Sequence, residues 1–199
     1  MKTDLVLTIT CPDRPAIVER IADTIVRFAA NWEESRMVRL GGDFAGIVKI
    51  SVPQEKAEAL AEALKAAADE EMTVTVKFTS PAVATLSGDY RLGQLRVAGA
   101  DHDGILHAVC RQLAGRGVNI GALETDVVLA PVSGTPLFQM KAQIEVPRQI
   151  SLAELKANLS RIGDEFGVDI QVCPGQTRVM SQTASDPADR VYPGRWNDN

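Results

Sequence analysis

One local pattern occurs twice in this chain, and no single-domain arrangement accounts for it easily. Leu5, Leu7 and Ile9 alternate as a half-buried strand does, and Thr10-Cys11-Pro12-Asp13-Arg14-Pro15-Ala16-Ile17-Val18 follows. Ile17, Ile21, Ile25 and Phe28 then recur at helical spacing. The second copy reads Leu95 and Val97, then Ala98-Gly99-Ala100-Asp101-His102-Asp103-Gly104-Ile105-Leu106, then Val109 and Leu113. Asp13 and Asp101, Ile17 and Ile105, and Asn31 and Asn119 all stand 88 positions apart. A duplicated strand–turn–helix in 199 residues implies two domains of roughly 80 to 90 residues, each closing its own core.

The rest of each copy supports that division. After the first helix, Glu34 to Leu40 reads as a strand, Gly41-Gly42-Asp43 as a hairpin turn, and Phe44 to Val52 as the returning strand. Pro53 is expected to open a helix, where its missing N–H costs nothing, with Ala57, Leu60, Ala61, Leu64 and Ala68 on the buried side. Met72 to Val76 alternates and closes the unit. The second copy repeats the β-α-β-β-α-β order: a helix from Asp103 to Ala114, strands Val118 to Leu129 and Phe138 to Val146, and a helix after Ser151. Ser151 and Glu154 form a capping-box signature, Gly167 ends that helix, and Val168 to Val172 is the last strand. The expected boundaries are therefore 3–79 and 90–174 for the two domains, 80–89 for a linker and 175–199 for a polar tail. Val179, Met180, Val191, Tyr192 and Trp196 are the tail's candidate anchors. Ala130-Pro131-Val132-Ser133-Gly134-Thr135-Pro136 makes the second copy's middle loop about six residues longer, either a tolerated insertion or a functional one.

Composition narrows the function. A formal net charge of −5, with Lys and Arg scattered among more numerous acids, argues against direct nucleic-acid binding. No run approaches the roughly 18 apolar residues of a membrane span, and Met1-Lys2-Thr3-Asp4 lacks a leader's apolar core. Cys11, Cys110 and Cys173 are odd in number and without metal-ligand spacing, so free thiols in a reducing cytoplasm are expected.

The duplicated turn is the expected site. A strand running into a helix presents backbone N–H groups and the positive end of the helix dipole, suited to a carboxylate or phosphate. Gly104 leaves the backbone open to a ligand and Ala16 less so, which favours the second turn. On this reading a valine at position 104 should block the ligand without disturbing the fold. Asp13, Asp101 and Asp103 have a plainer reading as helix N-caps. Catalysis is not expected: His102 and His107 are five apart and do not share a helix face, and no nucleotide-binding glycine fingerprint or nucleophile elbow is present. Trp32 and Phe44 are expected in the core or an interface.

The Asp13-Arg14-Pro15-Ala16-Ile17-Val18 turn after a strand, and its counterpart Asp101-His102-Asp103-Gly104-Ile105-Leu106, resemble the opening of an ACT domain. The tandem layout, Asn119-Ile120-Gly121-Ala122-Leu123-Glu124-Thr125, and Ala130-Pro131-Val132-Ser133-Gly134-Thr135-Pro136-Leu137-Phe138 resemble the glycine cleavage system transcriptional repressor family. The resemblance implies an α+β chain of two ferredoxin-like βαββαβ domains, antiparallel sheets with helices on one face, joined edge to edge. It implies no enzyme activity and no cofactor or metal. The implied ligand is glycine or a similar small amino acid. Its implied contacts are Asp13, Arg14, Ala16, Ile17 and Asn31 in the first copy, and Asp101, His102, Asp103, Gly104, Ile105 and Asn119 in the second. The implied action is transcriptional repression through a protein partner, an activator, with a homodimer allowed for. The alternative is a regulatory subunit or interaction module that modulates a metabolic enzyme. Deformylases and phosphoserine phosphatases also carry ACT domains, but their activity resides in a further catalytic domain.

Overall fold

Leu5, Leu7, Ile9 and Cys11 project from one side of the first strand and are at most 4% exposed, so that strand is the spine of a core. The computed structural model describes residues 1–79 and 90–175, which fall into two compact units. The linker expected at 80–89 and the tail anchors beyond 175 lie outside the described residues.

Unit one runs β1 (Lys2–Pro12), α1 (Ile17–Arg27), β2 (Asn31–Leu40), β3 (Asp43–Pro53), a 3-10 turn (Gln54–Lys56), α2 (Ala57–Ala66) and β4 (Thr73–Thr79). Unit two runs β5 (Tyr90–Ala100), α3 (Ile105–Ala114), β6 (Asn119–Leu129), β7 (Pro136–Pro147), α4 (Leu152–Phe166) and β8 (Val168–Pro174). Each builds a four-stranded antiparallel sheet, ordered β2-β3-β1-β4 and β6-β7-β5-β8. These are two ferredoxin-like βαββαβ domains. In unit one, Ile17, Ile21 and Ile25 of α1 and Ala57, Leu60 and Leu64 of α2 cover Leu5, Leu7, Ile9, Val48 and Ile50. In unit two, Ile105, Val109 and Leu113 of α3 and Leu155 and Leu159 of α4 cover Leu95, Val97, Met140 and Ile144. Burying this apolar surface, at roughly 25 cal/mol per Å², holds each sheet to its helices.

Several element boundaries differ from the sequence reading. Pro53 does not open a helix: it ends β3 opposite Lys2, and the chain makes a 3-10 turn before α2 starts at Ala57. The helix expected from Asp103 starts at Ile105. β2 begins earlier, at Asn31, because a bulge between Trp32 and Glu34 lets the strand pair with Ser51 before its regular register. β6 has the matching irregularity between Ile120 and Ala122. The capping residue Ser151 accepts from the Glu154 N–H at 3.0 Å, and Gly167 ends α4 in the left-handed conformation. The six-residue insertion folds on itself. Ala130 N–H donates to Thr135 O and Gly134 N–H to Ala130 O, both at 2.9 Å, and Pro136 already pairs with Leu129.

Candidate functional site

Each turn is shaped by one residue in the left-handed region. Ala16 sits at φ 68°, ψ 8° and Gly104 at φ 94°, ψ −8°, and each is the N-cap residue of its helix. No side chain caps either helix, so Asp13, Asp101 and Asp103 are not N-caps. The chirality of an L-residue makes this region costly for alanine and easy for glycine. Gly104 is therefore there for backbone conformation as well as for openness. A valine at 104 would strain the turn itself, which corrects the expectation that it would leave the fold undisturbed.

The turn acids anchor the turns to the neighbouring hairpins. Asp13 N–H donates to Gly42 O at 2.9 Å, and Asp101 N–H donates to Pro136 O at 3.0 Å. Helical bonding begins where Arg20 N–H reaches Ala16 O and Ala108 N–H reaches Gly104 O. The N–H groups of Ile17, Val18 and Glu19, like those of Ile105, Leu106 and His107, precede that ladder. Ile17 and Ile105 are 3% and 1% exposed, so their side chains belong to the cores and only their backbones face the turns.

An open surface hollow, or cavity, of about 390 Å³ lies on the first turn, lined by Asp13, Arg14, Ala16, Ile17, Val18, Glu19 and Phe44. Its walls combine an aromatic ring, two aliphatic side chains, the helix start, two carboxylates and a guanidinium. Phe44 therefore does more than fill the core. Asp13 accepts from Arg39 at 3.2 Å. Arg14 reaches across to the α2–β4 connection, bonding Asp69 and lying 3.6 Å from Glu71. Arg20 bonds the same Asp69 oxygen at 2.9 Å. The Arg20 hydrogen bond, aided by those from Arg14 and the Glu71 N–H, holds the Asp69 carboxyl below its ordinary range. Burial pushes the Cys11 thiol at the base of this turn upward.

The second turn is built differently. His102 makes no ion pair or side-chain hydrogen bond among the described residues, and Asp101, His102 and Asp103 are all exposed. Phe166 at the end of α4 is the nearest neighbour of Gly104, its ring carbons 3.8 and 3.9 Å from where a Cβ would stand. Among the described residues no group of three or more His, Cys, Asp or Glu is arranged to hold a metal ion. No described helix is long and apolar enough to cross a membrane.

Asn31 and Asn119 do not line the first-turn cavity. Asn31 Nδ2 donates to Glu33 Oε1 at 3.0 Å, and that oxygen also accepts from Ser51 at 2.6 Å. Ser51 and Asn31 together lower the Glu33 carboxyl. Asn119 Nδ2 donates to Glu145 Oε2 at 2.8 Å. Both asparagines thus bond to a carboxylate near a strand bulge. Asp69, Arg20 and Phe166 are the neighbours of the turns that sequence reading missed. Long-range packing brings Asp69 and Phe166 there, and their spacing carries no signal, whereas Arg20 is local, one helical turn beyond Ala16.

Two tandem βαββαβ units, each entering its first helix through a left-handed residue, define the class of fold to which the chain belongs. The ACT domain family model matches residues 3–79, and the chain belongs to the ACT-domain proteins, with two ACT units in tandem. An unknown protein from Galdieria sulphuraria is 34% identical over 88% of this chain and 99% of its own, with a TM-score of 0.79. A proposed glycine cleavage system transcriptional repressor shares the fold at a TM-score of 0.62 and 17% identity, covering 86% of this chain and 96% of its own. No curated protein matches the chain.

Proposed function

We propose that this protein is an amino-acid-responsive regulator that represses genes of the glycine cleavage type through a protein partner, with glycine or a similarly small amino acid as ligand. The cavity on the first turn carries the reading. It offers carboxylates, Asp13 and Glu19, to an ammonium group, and a helix start and Arg14 to a carboxylate, within one small space. The likeness to a proposed repressor of the glycine cleavage system supports the gene target. The net charge of −5 favours a protein partner over direct contact with DNA. Ligand binding shifts the protein between states by its difference in affinity for them, so the response is a linkage between the turn and the partner surface.

Titration calorimetry of the full chain with glycine, alanine and serine tests the sensing. Saturable binding at millimolar concentration or below is expected, and heat no different from dilution for all three would refute it. Affinity capture with and without the bound amino acid tests the partner. A transcriptional activator is expected, and a metabolic enzyme in its place would assign the protein to enzyme modulation.

A further inference from the structure

The first turn holds a guanidinium that is already occupied. Arg14 lines the cavity, yet its terminal nitrogens are turned to the α2–β4 connection, on Asp69 and Glu71. Its Nε is buried and has no hydrogen-bond partner among the described residues. An arginine has five N–H donors in a planar fork that fits a carboxylate, so Arg14 carries unused donor capacity beside a cavity. Asp69, for its part, does not depend on Arg14. Arg20 bonds it at 2.9 Å, and the Glu71 N–H reaches its other oxygen at 3.3 Å. Losing Arg14 would leave Asp69 partnered.

We infer that Asp69 is an internal competitor for Arg14, standing where a ligand's carboxylate would bind, so that a ligand in the first-turn cavity takes Arg14 and loosens the α2–β4 connection. This deepens the proposed function and rests on its reading of the cavity as a site for a small amino acid. The connection is short: Met72 N–H donates to Asp69 O at 3.0 Å, Ala68 N–H to Lys65 O at 3.2 Å and Ala67 N–H to Ala63 O at 2.9 Å, and Arg20 reaches Ala67 O at 3.4 Å. Arg14 ties it to the turn from outside. The response belongs to unit one alone, because the positions matching Arg14 and Arg20 in the second copy are His102 and Ala108. Ala108 has no group to bridge to a carboxylate, and His102 makes no ion pair among the described residues. The duplicated turns thus serve unlike purposes, the first being coupled to a movable connection.

Coupling of this kind is reciprocal. If the ligand weakens the Arg14–Asp69 bond, then weakening that bond strengthens the ligand. Glycine affinity is measured by calorimetry on the full chain, alongside amide hydrogen exchange at Glu71 and Met72. Asp69→Asn is expected to tighten glycine by about threefold, the scale of a partly exposed ion pair. Arg20→Gln acts in the opposite direction. It leaves Asp69 wholly to Arg14 and is expected to weaken glycine. Saturating glycine is expected to speed exchange of the Met72 amide in the native protein and to change it less in Asp69→Asn, where the tie is already weakened. Glycine that binds the native protein but is unchanged or weakened by Asp69→Asn overturns the competition while leaving the proposed function intact. Glycine that binds neither the native protein nor Asp69→Asn overturns both. If Asp69→Asn does not fold, Arg20→Gln and the exchange measurement decide alone: unchanged affinity with unchanged exchange overturns the inference.

Discussion

The left-handed alanine at the first turn makes a prediction whose size and sign follow from backbone geometry. Ala16 has φ 68° and ψ 8° where the second copy has glycine at φ 94°. Holding an L-residue there costs roughly 1–2 kcal/mol. Glycine removes that strain but gives back roughly 0.5–1 kcal/mol through the greater freedom of its unfolded chain. The Ala16 side chain is exposed, so deleting it loses little buried apolar surface. Ala16→Gly should therefore stabilise unit one by about 0.5–1 kcal/mol, a rise in its midpoint of roughly 2–8 °C for a domain of this size. Gly104→Ala is the reciprocal test. Its new Cβ would stand 3.8 Å from the Phe166 ring, an ordinary contact, so the cost is conformational. A loss of about 1 kcal/mol in unit two is expected. Trp32 lies half-buried against the unit-one core and reports that unit by fluorescence, best in a Trp196→Phe background. Calorimetric scans of both variants complete the measurement. A destabilised Ala16→Gly, or a stabilised Gly104→Ala, would show that the two turns do not share the left-handed conformation, and the account of why they differ in residue would be wrong.

Three further outcomes follow from close contacts and local electrostatics. Gly163 lies inside α4, where alanine would ordinarily stabilise by about 1 kcal/mol, but a Cβ there would come within 2.7 Å of the Val168 carbonyl oxygen. Gly163→Ala should therefore destabilise unit two by roughly 1–3 kcal/mol in urea unfolding, and a gain in stability would contradict that packing. Cys173 is exposed, Cys110 intermediate and Cys11 buried with its thiol pushed up by that burial. Timed thiol titration at pH 8 should find them reacting in that order, with Cys11 protected until denaturant is added. Glu33 is held below the ordinary carboxylate range by Ser51 and Asn31. Its unfolded form then binds a proton first as pH falls, so its contribution is complete at pH 7 and is lost below about pH 4. Glu33→Gln should lower the urea midpoint at pH 7 and match the native protein more closely at pH 3.

How much of this was legible in the sequence depends on the range of the interaction. The helix faces of Ile17, Ile21 and Ile25 and the alternation of Leu5, Leu7 and Ile9 are local periodicities, and both the element order and the duplicated fold followed from them. The Ser151 cap and the Gly167 stop are local chemistry and were equally readable, although the Glu154 carboxylate turns to Arg116 at 2.8 Å instead of completing the box. Pro53 misled because its ring suits a first helical turn as well as a strand end, and pairing with Lys2 decided the matter. The turn acids misled for a related reason. An Asp before a helix suggests a cap, but the chain here enters the helix through a left-handed residue, and the acid's N–H is already spent on the hairpin. Asp69 could not be read at all, since it lies 55 residues from Arg14 and meets it only when α2 and β4 are in place.

The asparagines show why matching positions in a duplicated fold need not mean matching chemistry. Asn31 and Asn119 each donate to a carboxylate, but in unit one that acid is Glu33 on the bulge of β2, and in unit two it is Glu145 on β7. The partner strand position holding Glu145 in unit two holds Ser51 in unit one, because Asn119 pairs with Glu145 and Asn31 with Ser51. The bulge position holding Glu33 is Gly121 in the second copy, with the Glu145 carboxylate 3.8 Å from where its Cβ would stand. Each copy has thus placed one carboxylate in the same small space, from opposite strands. What was kept is the amide–carboxylate contact at the bulge rather than any single residue's identity. The two turns differ in the other direction: they share position and backbone conformation, while Arg14 and Arg20 of the first correspond to His102 and Ala108 of the second. The contact at the bulge is made by different residues in the two copies, whereas among the described residues the charged contacts around the turn occur in one copy only. That contrast sets the first turn apart from the second in charge and leaves the two alike in backbone.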